Sequence, residues 1–354
     1  MAEMKEAASK AAPINQQDKG TDNLGQLQKC PNYIGMISAE FDKLAQVANE
    51  VPEVIGMLRI RSANRTLKEA SLRPNPDALW LTLWYAGEVC CLFADSNLGK
   101  SIYAIQIASE IAKIQKVLYF DFELSDKQFQ LRYTDKDTGT LYQFPDNFYR
   151  VELNPETLNT DNFEDNLINN IEGAALQCGA NVLVIDNLTY LCIASEKGDV
   201  AGSLMMRLTQ LKKKYGWSLL VLAHTPKRQL TSPLTQNDLA GSKKLYNFFD
   251  SVFAIGQSAK DSNLRYIKQL KVRYGEYVYD ADNVIVYSIE QINSFLQFVP
   301  QGYATEREHL KELSDKDESA IIEQVKSLSL QGKSIRDIAK ETGISKSKVG
   351  RILK

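Results

Sequence analysis

LFADSNLGKS, residues 92–101, is an apolar run that breaks into a loop of small residues and then into Gly99-Lys100-Ser101 at the start of a helix. Such a loop builds a cradle for a triphosphate. Its backbone N–H groups and the positive end of the following helix surround the β-phosphate, Lys100 reaches the β- and γ-phosphates, and Ser101 reaches a Mg²⁺ ion. Gly99 lets the backbone approach the ligand without a Cβ in between. The common pattern has Gly five residues before Gly99, where this chain has Ala94. The expected nucleotide contacts are Ala94, Asp95, Ser96, Asn97, Leu98, Gly99, Lys100, Ser101 and Ile102.

The flanking sequence supplies the context this loop requires. EVCCLF (88–93) is apolar and β-prone, and residues 102–114 carry apolar side chains at helical spacing, so the loop falls between a buried strand and an amphipathic helix. Further along, NVLVIDNL ends a second apolar run in Asp186, suited to hold the metal shell from the carboxyl end of a strand. ATP and Mg²⁺ are therefore the expected cofactors, with Ser101 and Asp186 as the metal residues.

Outward from this core the chain alternates. Strands are expected near 88–94, 116–122, 147–152, 181–186, 217–223 and 251–256, and helices near 100–113, 125–133, 161–178 and 200–214. Alternation of this kind predicts an α/β fold, a mostly parallel sheet with helices on both faces. After Asn263 the pattern turns all-strand, predicting an antiparallel extension at one edge. Residues 1–37 read as a disordered tail, 38–80 as a helical segment broken by Pro74 and Pro76, 81–300 as the nucleotide-binding domain, 301–317 as a polar linker and 318–354 as a small helical domain.

Composition narrows the classes. Apolar residues at 44% and charged residues at 24% are ordinary for a globular protein. No apolar run reaches 18 residues and the first thirty are polar, so a cytoplasmic protein without a membrane partner is expected. Five cysteines without paired metal spacing, and two histidines, argue against a zinc site or a histidine-based hydrolase. The net charge of −2 hides an asymmetry: from Glu318 onward eight basic residues face four acidic ones, so this tail carries +4 and the rest −6. A basic module on an acidic body suits a polyanionic partner.

Attack of water on a phosphate needs a group to orient that water. VLYFDFELS delivers Glu123 at a strand's carboxyl end, with Asp121 on the same face as the fallback and helix capping as the plain alternative. His224, closing SLLVLAH, reaches the same edge, as a γ-phosphate sensor or simply as a satisfied hydrogen-bonding residue. Lys271 and Arg273, two apart, share one strand face, where they either serve a neighbouring subunit's nucleotide as fingers or are solvated. GKSIRDIAKETGISKSKVGRILK fits a helix-turn-helix in which Ile338, Ala339, Ile344, Val349 and Ile352 pack together. Its second helix offers Ser345, Lys346, Ser347, Lys348 and Arg351 to duplex DNA. Lys197, Lys227 and Arg228, in the loops after Asp186 and His224, are candidates for gripping a single strand through charge.

These motifs together resemble the RecA-like ATPases of the AAA family. The chain is similar to hexameric replicative helicases of the RepA and DnaB type and to AAA ATPases of the Bacteroides group. The resemblance spans roughly residues 80–290 and rests on FADSNLGKS, on Glu123-Leu124-Ser125 followed by Arg132, on DLAGSKKLYNFFDSVFAI, and on Lys271-Val272-Arg273-Tyr274-Gly275. It implies a RecA-like P-loop fold, Glu123 as catalytic base, Lys271 and Arg273 acting in trans, and a homo-oligomer of hexameric kind that works on DNA. No helical amino-terminal domain of the DnaB type accompanies the match, so a RadA-like recombination mediator and an ATP-gated DNA-binding regulator stand as alternatives.

Overall fold

A computed structural model describes residues 54–157, 163–188, 199–225, 228–239, 243–312, 315–342, 344 and 346–353. The expected disordered tail, residues 38–53 of the expected helical segment, and Lys197, Lys227 and Ser345 lie outside these residues. The chain divides into two compact units, Met1–Pro74 and Asn75–Lys354.

In the first unit, β1 (Val54–Ile55) pairs antiparallel with β2 (Leu58–Arg59), and α1 spans Ala63–Ser71. Ser62 caps this helix by accepting from the Arg65 N–H at 3.2 Å, satisfying one of the amino-terminal donors a helix leaves open.

The second unit opens with the antiparallel pair β3 (Ala78–Trp80) and β4 (Trp84–Tyr85). Its body is a nine-stranded sheet. In chain order the strands are β5 (Val89–Ala94), β6 (Val117–Asp121), β7 (Phe148–Val151), β8 (Val182–Asp186), β9 (Ser218–His224), β10 (Ser251–Gln257), β11 (Leu264–Lys271), β12 (Val284–Ile292) and β13 (Phe295–Ala304). Across the sheet the order is β13-β12-β11-β10-β5-β9-β8-β6-β7. Strands β10 to β7 in that order are mutually parallel, and β11, β12 and β13 extend the β10 edge antiparallel. All six residues of β5 are buried, as a continuous apolar run must be when helices cover both faces of a parallel sheet. The strand's two-residue period divides it between two cores. Val89, Cys91 and Phe93 pack toward α4 (Phe163–Cys178) and α5 (Asp199–Tyr215), while Cys90, Leu92 and Ala94 pack toward α2 (Lys100–Ala112). Each fully buried Leu, Ile, Val or Phe contributes roughly 1.5–3 kcal/mol relative to exposure. The expected α/β architecture, a mostly parallel sheet with an antiparallel extension and helices on both faces, is the one the chain adopts. The connection after β5 runs toward β6, whereas the one after β9 crosses back to β10, so the carboxyl end of β5 lies at the reversal where ligands meet such sheets.

The stretch expected as a linker differs in its first half. β13 continues to Ala304, and a 3₁₀ turn over Glu306–His309 sends Glu306 and His309 into the core. Glu306 accepts from Lys268 Nζ at 2.5 Å and from the Leu234 N–H at 2.6 Å. Buried charge of this kind survives only when paired, and the pairing is what the polar composition concealed. After the short α6 (Lys243–Tyr246) that precedes β10, three more helices follow this turn, α7 (Asp315–Leu330), α8 (Ile335–Thr342) and α9 (Lys346–Ile352). Ile338 and Val349 are buried there with Val325 and Leu328, and Ala339, Ile344 and Ile352 pack against them. Among the described residues no helix is long and apolar enough to cross a membrane.

Candidate active site

The phosphate loop leaves β5 at Ala94 and enters α2 at Lys100. Gly99 takes φ +91°, the left-handed region, and a Cβ there would come within 3.0 Å of Ile289 Cδ1 and Phe298 Cε2. Glycine is thus required twice, by backbone conformation and by the close approach of the antiparallel extension. Asn97 also takes a positive φ of 64°, which asparagine tolerates better than most residues. Gly99 has no side chain with which to cap α2, so the helix's first N–H groups and its positive end face the loop without a side-chain acceptor. Leu98 is buried beneath the loop, while Ser96 and Asn97 are exposed.

The loop opens on a cavity of about 380 Å³ lined by Ser96, Asn97, Gly99–Ile102, Glu123, Arg132, His224 and Ile289. Lys100 is only 7% exposed. Its Nζ donates to the carbonyls of Ala94 at 3.1 Å and Asp95 at 3.2 Å and lies 3.1 Å from His224 Nδ1. Burial pulls its pKa below the usual lysine value, with Asp186, Glu123 and Asp95 opposing. On the other side of the imidazole, Nε2 lies 2.9 Å from Asn187 Nδ2 and 3.3 Å from Glu123 Oε1, and the Asn187 amide donates to that same Glu123 oxygen. Lys100, His224, Asn187 and Glu123 therefore form one connected polar chain beside the cavity, drawn from the start of α2, the end of β9 and the turns that follow β8 and β6. A second cavity of about 450 Å³, between the sheet and α4, holds none of the residues singled out in the sequence.

Asp186 ends β8 beside this chain. Its Oδ2 accepts from the Tyr119 hydroxyl at 2.7 Å, while Oδ1 is buried without a well-formed hydrogen bond among the described residues. Burial pushes its pKa up to about 6, although the hydroxyls of Ser101 and Tyr119 favour the charged form. A buried carboxylate oxygen lacking a partner, close to a hydroxyl at the mouth of a phosphate loop, suits a hard divalent cation such as Mg²⁺. Ser101 and Asp186 would hold it, directly or through water.

The fallback base is otherwise engaged. Asp121 is buried, its Oδ1 accepting from the N–H groups of Glu123 at 3.2 Å and Leu124 at 2.9 Å and its Oδ2 from Arg150 Nε at 2.8 Å. Nor does Glu123 cap the next helix, α3 (Asp126–Arg132). Ser125 does so, in a reciprocal capping box with Gln128. Glu123 is left facing the cavity.

Lys271 and Arg273 stand elsewhere. Lys271 pairs with Val252, near the amino end of β10, so Lys271 and the nearby Arg273 sit at the opposite end of the parallel strands from their own phosphate loop. Lys271 Nζ donates to the Tyr246 carbonyl at 3.1 Å, and burial lowers its pKa. The Arg273 side chain is 60% exposed and its Nη1 donates to Asp250 at 2.7 Å. Arg228 does not offer itself as a strand grip: it turns inward to Asp238 at 3.4 Å and donates to the Ser232 carbonyl, which leaves its side chain 12% exposed. Of the candidates on α9, Lys346, Ser347 and Arg351 are exposed and Lys348 is half-buried. Lys348 and Arg351 share a hollow with Lys326 of α7, a cation not singled out in the sequence.

Sequence reasoning missed Asn187 and Arg150 as well. Asn187 carried one signal, its place directly after Asp186. Arg150 carried none, because apart from Glu152 two residues on, the groups it holds lie 24 to 29 residues away and meet it only through the register of β6 with β7. Arg132, noted only for its spacing after Glu123, lines the cavity, and its Nη1 is buried without a hydrogen bond among the described residues.

Comparison with known proteins places this site within a described family stretch. Residues 59–229, less than half of the chain, match the family model of the AAA domain. No curated protein matches the chain significantly. Among solved structures, a KaiC-like protein from the hyperthermophilic archaeon Pyrococcus horikoshii OT3 aligns with a TM-score of 0.45 at 13% identity, covering 61% of this chain and 91% of that one. The matched AAA stretch contains the phosphate loop, Glu123, Asp186 and His224, and together they support an ATPase of the P-loop class.

Proposed function

We propose that this protein is a Mg²⁺-dependent ATP hydrolase that acts on DNA as an oligomeric helicase or translocase. The observation that carries the hydrolase reading is the convergence of Lys100, His224 and Glu123 on one cavity at the phosphate loop, with Asn187 bonded to the last two. The first N–H groups of α2 bind the β-phosphate, and Lys100 exchanges the Ala94 and Asp95 carbonyls for β- and γ-phosphate oxygens. Glu123 orients the attacking water and takes its proton. His224, one hydrogen bond from both Lys100 and Glu123, senses whether the γ-phosphate is present. When bound, Mg²⁺ neutralises phosphate charge. Lys271 and Arg273, remote from their own loop, complete the site of a neighbouring protomer.

DNA enters the reading through the basic carboxyl-terminal helices, taken as a helix-turn-helix with Lys346, Lys348 and Arg351 toward the duplex. One contact favours a second reading, an ATP-gated DNA-binding regulator: Gln229 Nε2, in the segment after His224, donates to the Thr342 carbonyl of α8 at 3.1 Å. ATP turnover with and without single-stranded DNA, measured beside strand displacement, separates the readings. A helicase shows stimulation and displacement, a mediator stimulation alone, and a regulator neither.

A further inference from the structure

We infer that Arg150 is a positioning residue for hydrolysis, acting through Asp121 to fix the turn that carries Glu123. The inference rests on the proposed role of Glu123. Strand β7 pairs in parallel with β6 so that Arg150 stands opposite Tyr119, two residues before the end of β6 from which the turn departs. From there its guanidinium takes hold of the turn at three points. Nε donates to Asp121 Oδ2 at 2.8 Å, Nη2 to the Leu124 carbonyl at 2.5 Å, and Nη1 to Asp126 at 2.6 Å. The other Asp121 oxygen receives the N–H groups of Glu123 and Leu124. The guanidinium plane also lies 4.9 Å from the centre of the Phe129 ring in α3. Glu123 is thus bracketed: its own N–H is fixed by Asp121, and the next residue is fixed at both N–H and carbonyl.

The planar, forked donor set explains why arginine occupies this position. One lysine ammonium at the end of a flexible stem cannot hold two carboxylates and a carbonyl in a single plane. Among the described residues, the Glu123 carboxylate itself is tethered only at Oε1, by Asn187 and His224. Its placement therefore depends on its backbone, and a displacement of about 1 Å at a reacting group costs on the order of 100-fold in rate.

Single-turnover hydrolysis and nucleotide affinity are to be measured on the full chain for Arg150→Met, Arg150→Lys, Glu123→Gln and the double variant Glu123→Gln/Arg150→Met. Arg150→Met is expected to lower the hydrolysis rate roughly 10- to 100-fold with ATP affinity held within about twofold, and Arg150→Lys to recover part of the loss. The double variant is expected to be no slower than Glu123→Gln, since two residues acting through one group are not additive. Unchanged turnover in Arg150→Met overturns the inference. A further drop in the double variant, or a joint loss of affinity and turnover, overturns it too by marking Arg150 as merely structural. Normal turnover in Glu123→Gln removes the reading of the base itself and the inference with it.

Discussion

Gly99→Ala places the smallest possible side chain at the most constrained point of the phosphate loop. Holding a non-glycine residue in the left-handed region costs roughly 1–2 kcal/mol. The added methyl would also lie 3.0 Å from Ile289 Cδ1 and 3.0 Å from Phe298 Cε2. Ile289 has a flexible end that can turn away, but Phe298 cannot easily yield. Its ring packs 4.8 Å from that of Tyr103, and its backbone N–H and carbonyl are both bonded to the Gln106 amide, at 2.8 and 3.0 Å. Overpacking of this kind costs about 1–3 kcal/mol, so the substitution costs roughly 2–5 kcal/mol in all. If the loop keeps its shape, the loss falls on stability. If it relaxes to spare Phe298, the N–H groups of α2 lose their aim and ATP affinity falls, about tenfold for each 1.4 kcal/mol. Thermal melting without nucleotide and titration with a fluorescent ATP analogue read the two outcomes separately. Wild-type melting together with wild-type affinity would refute the assignment of Gly99 as the pivot of the loop.

Further outcomes follow from other parts of the molecule. Arg273→Ala and Lys100→Ala should each be inactive alone, whereas mixing them should restore part of the ATPase activity if Arg273 serves a neighbour's nucleotide; a mixture that stays inactive removes the trans role. Lys268→Met leaves Glu306 buried without its cation and should cost roughly 3–5 kcal/mol in chemical denaturation, while a cost below about 1 kcal/mol would mean the pair is not buried. Burial, aided by Lys260 and opposed by Glu308, holds the pKa of His309 below the ordinary value. The unfolded chain then binds that proton more readily, so stability should fall as pH drops below roughly 6.5. His309→Gln should flatten that slope in melting curves between pH 7.5 and 5.5, and an unaltered slope would assign the loss to other groups.

Much of the core was legible in the sequence because central parallel strands are buried on both faces and so appear as unbroken apolar runs, as VCCLFA and VLVID do. Helices α2 and α4 were readable from their apolar spacing for the same reason. What escaped notice depends on distant partners. Residues 301–310 look like a polar linker until Lys268 and the Leu234 N–H neutralise Glu306. Arg228 looks like a free cation until the chain folds Asp238 back onto it. At the site, the phosphate loop and Asp186 announce themselves through local chemistry, since glycine, lysine and a carboxylate at fixed places have few other uses. Asn187 and Arg150 have ordinary neighbours in sequence and acquire meaning only when β6, β7, β8 and β9 are brought side by side.

The central claim, that the loop after β5 binds ATP with Mg²⁺ for hydrolysis, is tested most directly by titrating the purified chain and Lys100→Ala with ATP, with Mg²⁺ and with the ion chelated, while phosphate release is followed. The account predicts Mg²⁺-dependent binding and turnover in the wild type, both lost or severely reduced in Lys100→Ala. Absence of Mg²⁺-dependent ATP affinity in the wild type, or full turnover in Lys100→Ala, would contradict it.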